Sequence, residues 1–300
     1  MRLAMIKRDG REILSLRMAD GFVDIEEINR TFGTDWPLTL QEVFDTERFE
    51  ELHRWYKELG RVELSPGDLG NLSDLAVSET AAFFVPLLRC PHKIWCIGLN
   101  YSDHAADLSE EVPVGIPGSF MKPATTIIGY GDEIRIPLQS ERTTAEAELG
   151  IIIGKRCTDV PPDNWLSVVA GFTTVIDMTA EDILKKNTRY LTVSKSFDTF
   201  FSFGPELVTP DEVGEVSVLR ISTVRNGKVH ASNSVANMTF SPSFLVSFLS
   251  GVMTLLPGDI ISTGTPGAAP IQDGDAVECR IEGFITLMNP VRDLKAGSKS

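Results

Sequence analysis

Several large classes of protein are excluded by what this chain has little of. Cysteine is scarce: among 300 residues only Cys90, Cys96, Cys157 and Cys279 occur. No two have CxxC spacing, and no Cys/His set has the spacing of a structural zinc site. Reduced thiols in a cytoplasmic setting are the expectation. Positive charge is scarce as well, with 28 Lys and Arg against 42 Asp and Glu, a net charge of −14. Nucleic acid is therefore not an expected partner, since its recognition rests on a basic face. An anionic substrate would meet an unfavourable overall field and would need a local cation or lysines to attract it. Long apolar runs are missing too. The longest, Phe244 to Leu256, is broken by Ser247, Ser250 and Gly251 and is too short to span a bilayer. Met1 to Gly10 has no apolar h-region, so neither a signal peptide nor a membrane association is expected. Repeats and low-complexity tracts are absent, apart from a polar tail from Lys295.

What remains is an ordinary globular composition, 42% hydrophobic and 23% charged. It suffices for one large domain or two ordinary ones without disulfides. Residues 1–35 read as a β unit, with a hairpin around Asp9-Gly10 and a short helix from Asp24 to Thr31. Leu38 to Arg61 carries Val43, Phe44, Phe49, Leu52, Trp55 and Leu59 at helical spacing, which predicts one helix ending at Gly60. His53 lies within it, with nothing beside it that suggests chemistry, and reads as packing or surface. Turn signals fill residues 62–92. The expected division is a small α/β domain over 1–90 and a larger one over 91–300.

The second part is denser. The apolar strand Lys93-Ile-Trp-Cys-Ile-Gly-Leu-Asn-Tyr101 precedes a helix start at Ser102. His104 and Asp107 are three apart there and would share a helix face. A carboxylate beside an imidazole raises its basicity and suits a general base; the plain alternative is a helix-start histidine with a surface aspartate. Pro123 holds Lys122 extended. Then comes Thr144-Ala-Glu-Ala-Glu-Leu-Gly-Ile-Ile-Ile-Gly-Lys155. On a strand, Glu146 and Glu148 point to one face, and Leu149 to Ile153 continue as a buried strand. Two like charges entering an apolar strand are costly unless neutralised. A divalent cation would neutralise them; a solvated strand end would also tolerate them. Val168 to Asp177 is a second buried strand ending in a third carboxylate. Met178 onward opens a helix, Lys195 sits in a polar loop, Asn226-Gly227 marks a hairpin, and Ser241-Pro242 starts a helix running to about Leu255. Pro257-Gly-Asp-Ile-Ile-Ser-Thr-Gly-Thr-Pro-Gly267 is not a phosphate-binding Walker motif, because it lacks the Gly-Lys-Ser/Thr ending.

Six pieces in order resemble the fumarylacetoacetate hydrolase family: Lys93-Ile with Gly98-Leu-Asn-Tyr101 and His104; Phe120-Met-Lys-Pro123; Glu146-Ala-Glu-Leu; Gly171-Phe-Thr with Asp177-Met-Thr-Ala; Lys195-Ser-Phe-Asp-Thr-Phe; and the Pro257 to Pro266 run. The resemblance covers roughly residues 93–293. It implies an α+β fold, a mixed β-roll or sandwich core behind a small N-terminal β-containing domain, and a homodimer. It implies a divalent ion on Glu146, Glu148 and Asp177. An all-oxygen set of this kind suits Mg²⁺, with Mn²⁺ or Ca²⁺ as alternatives. It further implies His104 as the base that activates water, Asp107 as its partner, Lys195 beside the metal and the substrate's oxyanion, and Tyr101, Lys122, Glu181 and Thr265 lining the substrate pocket. The implied activity is metal-dependent hydrolysis of a C–C bond in a 2-oxo or 1,3-dicarbonyl acid of acylpyruvate type, through a metal-stabilised enolate. Decarboxylation of oxaloacetate and isomerisation of a hydroxymuconate-type acid need the same enolate without hydrolytic water, and a catalytically inert relative would keep the metal alone. Four positions depart from the family pattern: Glu181 and Val193 in place of arginines, Ala231 in place of glutamine, and Asp107 in place of glutamate. Glu181 would repel a distal substrate carboxylate unless Lys185 or Arg189 compensated.

Overall fold

The computed structural model describes residues 1–18, 21–59, 74–102 and 113–296. Strands β1 (Arg2–Arg8), β2 (Arg11–Met18) and β3 (Gly21–Asp24) open the chain, followed by helices Ile25–Phe32, Leu40–Asp45 and Phe49–Leu59. Next come β4 (Phe84–Val85), β5 (Ile94–Gly98), β6 (Gly118–Lys122), β7 (Ile127–Ile128), β8 (Ile134–Ile136), β9 (Thr143–Ile153) and β10 (Val169–Ala180). Short helices Glu181–Lys186 and Leu191–Lys195 lead to β11 (Phe201–Val208). The chain then forms β12 (Arg220–Arg225), β13 (Lys228–Ser234), helix Pro242–Val252, β14 (Ile260–Ser262), β15 (Ala268–Pro270), β16 (Ala276–Ile281) and β17 (Leu287–Asp293).

Among the described residues these strands make two mixed sheets. The larger runs β3-β2-β1-β11-β10-β9-β14-β5-β6, with β15 on β9, β4 on β1 and β7 on β11; the smaller runs β13-β12-β16-β17-β8. Mixed sheets with few helices are the α+β architecture expected. Every residue of β9 and β10 is buried. Their near-continuous apolar composition follows, because both faces of this central pair are covered. The alternate residues Ala145, Ala147, Leu149, Ile151 and Ile153 join one apolar cluster with Ile221, Val277 and Leu287 of the smaller sheet. On the opposite face Ile152 and Val175 pack with Ile25, Val43, Phe44 and Leu52 of the N-terminal helices. The segment before residue 90 also joins the larger sheet directly, as β1 pairs antiparallel with β11. Among the described residues no helix is long and apolar enough to cross a membrane.

Two local expectations are corrected. The single helix over Leu38 to Arg61 is broken between Asp45 and Phe49. Thr39 and Glu42 form a reciprocal capping box that starts the first helix, and Glu47 takes a left-handed backbone, φ 57°, which no α-helix accommodates. Residues beyond Leu59 lie outside the described ones. The helix expected from Met178 begins only at Glu181, because Met178 to Ala180 remain paired with Thr143 to Ala145 of β9. The Asp9-Gly10 and Asn226-Gly227 hairpins form with both turn residues at positive φ, as a two-residue type I′ turn requires.

Candidate metal and substrate site

The register of β9 against β10 builds the site. Asp177 pairs directly with Glu146, and Val175 with Glu148. Directly opposed residues share a face, so the i, i+2 glutamates and the facing aspartate converge on one surface. Oxygens of Glu146, Glu148 and Asp177 lie within 4.8 Å of one another, and all three residues are buried.

Neighbouring groups hold each carboxylate. Glu146 accepts from the hydroxyls of Thr179 (2.6 Å) and Thr144 (3.3 Å). Glu148 accepts from the Ser262 hydroxyl and from the Gly264 backbone N–H at 2.8 Å. Gly264 has φ +93°, and a Cβ there would meet the Asn100 Cβ at 2.8 Å and the Ile97 carbonyl at 3.1 Å, so only glycine lets this loop approach. Asn100 pins the loop by donating to the Thr263 carbonyl at 2.8 Å and to the Phe240 carbonyl at 3.0 Å. That is the structural reason for an asparagine at the end of the strand before Tyr101.

Two lysines face the cluster. The Lys195 ammonium stands 2.7 Å from Asp177 Oδ2 and 3.2 Å from Glu146 Oε2. Burial opposes its charge, but Asp177 and Glu146 outweigh burial and raise its pKa above the usual lysine range. In the metal-free cluster it is therefore an ammonium at neutral pH. Lys122 is wholly buried. It pairs with Asp177 Oδ1 and donates to the carbonyls of Met178 at 3.0 Å and Phe200. Two backbone hydrogen bonds and the ion pair place Lys122 behind Asp177. Even with both lysines present, the Glu148 carboxyl is pushed up to about 8, by burial first and then by the Asp177 charge. The fully ionised cluster would thus carry uncompensated negative charge. An all-oxygen donor set with residual negative charge fits a hard divalent cation.

The remaining expected residues fall as follows. Tyr101 is fully buried, and its hydroxyl finds no hydrogen-bond partner among the described residues. Burial, and then the Glu148 charge, disfavour its ionisation, so it is a spare donor near the cluster. Thr265 is buried, with its hydroxyl engaged by Gly267 at 3.1 and 3.2 Å in a tight turn. That turn leads into β15, whose Ala268 pairs with Glu146. Glu181 is not a bare charge. It pairs with Arg142 and, at 2.6 Å, with Lys185. Val193 is exposed. Ala231 is positioned so that any Cβ on Gly267 would come within 2.5 Å of its own Cβ. His104 and Asp107 lie outside the described residues.

Sequence reasoning overlooked Thr179, Ser262, Gly264 and Arg142. Thr179 was readable, because it lies two residues after Asp177 and shares its face. Arg142 was not, because its pairing with Glu181 depends on the β9–β10 register.

The profile of the fumarylacetoacetate (FAA) hydrolase C-terminal family matches residues 93–292. An uncharacterized protein of Methanocaldococcus jannaschii is 38% identical over 250 residues, 82% of this chain and 98% of that protein. The mitochondrial oxaloacetate tautomerase FAHD2A of Homo sapiens is 36% identical over 247 residues, 79% of this chain and 78% of that protein. Among solved structures, maleylpyruvate hydrolase from Sphingobium sp. SYK-6, in complex with manganese(II) and pyruvate, superposes with a TM-score of 0.77 at 26% identity. The match covers 98% of this chain and 99% of that one.

Proposed function

Since the chain belongs to the fumarylacetoacetate hydrolase family, we propose that it is a divalent-metal-dependent enzyme that acts on a small 2-oxo acid through its enolate. The observation that carries this reading is the convergence of Glu146, Glu148 and Asp177 within 4.8 Å, with the Lys195 ammonium against two of them. Those three carboxylates would hold Mg²⁺ or Mn²⁺, which supplies Lewis-acid stabilisation of the negative charge that develops on the substrate's keto oxygen. Lys195 stays protonated and adds donors in a dry pocket, where they count for more than in water. Lys122 fixes Asp177. The Tyr101 hydroxyl offers its unused proton to a substrate oxygen.

The leading reading is hydrolysis of the C–C bond of an acylpyruvate-type acid, with His104, oriented by Asp107, deprotonating the attacking water. The second reading is keto–enol interconversion or decarboxylation. It is favoured by the higher identity to the oxaloacetate tautomerase than to the maleylpyruvate hydrolase. Turnover of acetylpyruvate, fumarylpyruvate, oxaloacetate and 2-oxohept-3-enedioate, with Mg²⁺, with Mn²⁺ and with chelator, separates them. Two acids formed from one support hydrolysis; an isomer or CO₂ supports the second reading. Turnover that persists in chelator or in Glu148→Ala removes the metal-enolate proposal altogether. A homodimer belongs to the same proposal and is checked by light scattering.

A further inference from the structure

A groove of about 460 Å³ opens far from the carboxylates, between helix Phe49–Leu59 and the opposite ends of β9 and β10. Its size lies within the range of small-ligand sites. Phe49, Leu166, Val168, Val169 and Ala170 give it an apolar lining, and one face of the helix gives it a charged wall. Phe49, Glu50, His53, Arg54 and Lys57 follow at three- and four-residue spacing, which brings them to one side of the helix.

The charges on that wall are largely matched. Lys155 pairs with Glu50. Lys57 and His53 both reach Asp211, at 3.1 Å each. Burial, ahead of the opposing pull of Asp211, lowers the His53 pKa and favours its neutral form. Arg54 makes no ion pair among the described residues. Among the described lining residues three permanent cations therefore meet two carboxylates, an excess of one positive charge on a chain whose net charge is −14.

We propose that this groove binds an organic monocarboxylate with a flat apolar body, an aromatic or acyl acid, with Arg54 gripping the carboxylate and the lining of Phe49, Leu166 and Val168 covering the body. A guanidinium matches a carboxylate with two parallel hydrogen bonds. A single unmatched cation selects one negative charge, and the apolar lining disfavours inorganic phosphate, which brings nearly two charges and no apolar surface. This binding site is independent of the enolate chemistry proposed above.

The test is a fluorescence titration of the full chain with 2-naphthoate, with 2-naphthamide as the neutral counterpart and inorganic phosphate as competitor. It is run on the wild type, Arg54→Gln, Leu166→Glu and Glu148→Ala. Arg54 and Leu166 are exposed, so unfolding midpoints of those two variants should match the wild type and establish that they fold. The expected result is saturable one-to-one binding of naphthoate. Affinity should fall about tenfold or more in Arg54→Gln and in Leu166→Glu, with a similar loss for the amide. Glu148→Ala should bind as the wild type does. Absence of saturable binding, equal affinity in Arg54→Gln, or efficient competition by phosphate overturns the proposal. Loss of binding in Glu148→Ala would place the probe at the carboxylate cluster and overturn it too.

Discussion

Replacing Lys195 with methionine should tighten binding of the divalent ion and yet sharply lower turnover, whereas damage to a metal site usually weakens both together. The ammonium lies 2.7 Å from Asp177 Oδ2 and 3.2 Å from Glu146 Oε2. Those oxygens would coordinate an ion at about 2.1 Å, so the ammonium would stand within about 5 Å of it. At that separation a divalent and a monovalent cation repel by about 6.6 kcal/mol for an effective dielectric of about 20. A quarter of this, recovered on removing the charge, is about tenfold in Kd. Methionine nearly conserves volume, so packing changes little. The metal-free variant should lose about 3–5 kcal/mol of stability, because buried carboxylates are left with one lysine instead of two. The added ion should restore most of that loss. Turnover should fall by about 10²–10³, the usual cost of removing a donor aimed at a developing oxyanion. Calorimetric titration with Mn²⁺, urea unfolding with and without chelator, and steady-state kinetics read the three quantities. If Lys195→Met binds the ion no more tightly than the wild type, the lysine is not a competing cation and the charge reasoning fails.

The metal-free protein should lose stability as pH rises from about 4.5 to about 8. Folded Glu148 keeps its proton up to about 8, while the unfolded chain releases it near 4.5, so ionisation favours the unfolded state across that window and the loss is complete above it. Urea midpoints in chelator and in Mg²⁺ should diverge over the same range, and a pH-independent gap would remove Glu148 from this role. Gly264→Ala should destabilise by about 3 kcal/mol or more, through a positive φ and a collision with backbone, and should weaken ion binding because the Gly264 N–H on Glu148 shifts; an unfolding midpoint within a degree or two of wild type contradicts this. Glu181→Gln should cost no more than about 1 kcal/mol, since Arg142 and Lys185 are half exposed. It should also lower the KM of a dicarboxylate substrate relative to a monocarboxylate one by releasing Arg142, and an unchanged ratio shows that Arg142 does not face the substrate.

The parts of the site that were readable in advance obey local rules. The i, i+2 spacing of Glu146 and Glu148 on a strand places both on one face whatever the sheet order, and the Asp9-Gly10 and Asn226-Gly227 turns dictate their hairpins. Asp177 was recognisable as a carboxylate of a buried strand, which continues past it to Ala180, yet its position opposite Glu146 is a matter of register between strands separated by the Gly154 to Val168 connection. No single-residue signal in that connection specifies the pairing. Lys122 shows the limit most clearly. Its hydrogen-bond acceptors are backbone carbonyls, of Met178 and Phe200, which every residue possesses and no sequence pattern marks. The ion pair of this lysine with Asp177 could not be read from the spacing of the two residues. Glu181 was read as a repulsive charge because its neutraliser, Arg142, lies on the preceding loop and meets it only through the β9–β10 pairing.

The charge balance of the cluster resolves the conflict between an acidic protein and an acidic substrate. With Glu148 holding its proton up to about 8, Glu146 and Asp177 against Lys122 and Lys195 leave the metal-free cluster close to neutral in a buried space. In that state the site offers a 2-oxo acid no net attraction, while the rest of this chain of net charge −14 repels it. A divalent cation that displaces the Glu148 proton turns the balance to one positive charge, enough for one carboxylate and short of two. The same arithmetic ties the order of binding to the charge: ion first, substrate second. It also predicts that a monocarboxylate such as pyruvate protects the metal-free protein against thermal unfolding far less than the metal-loaded one. Equal protection in both states would mean that lysines alone recruit the substrate, and that the carboxylates serve some purpose other than holding an ion.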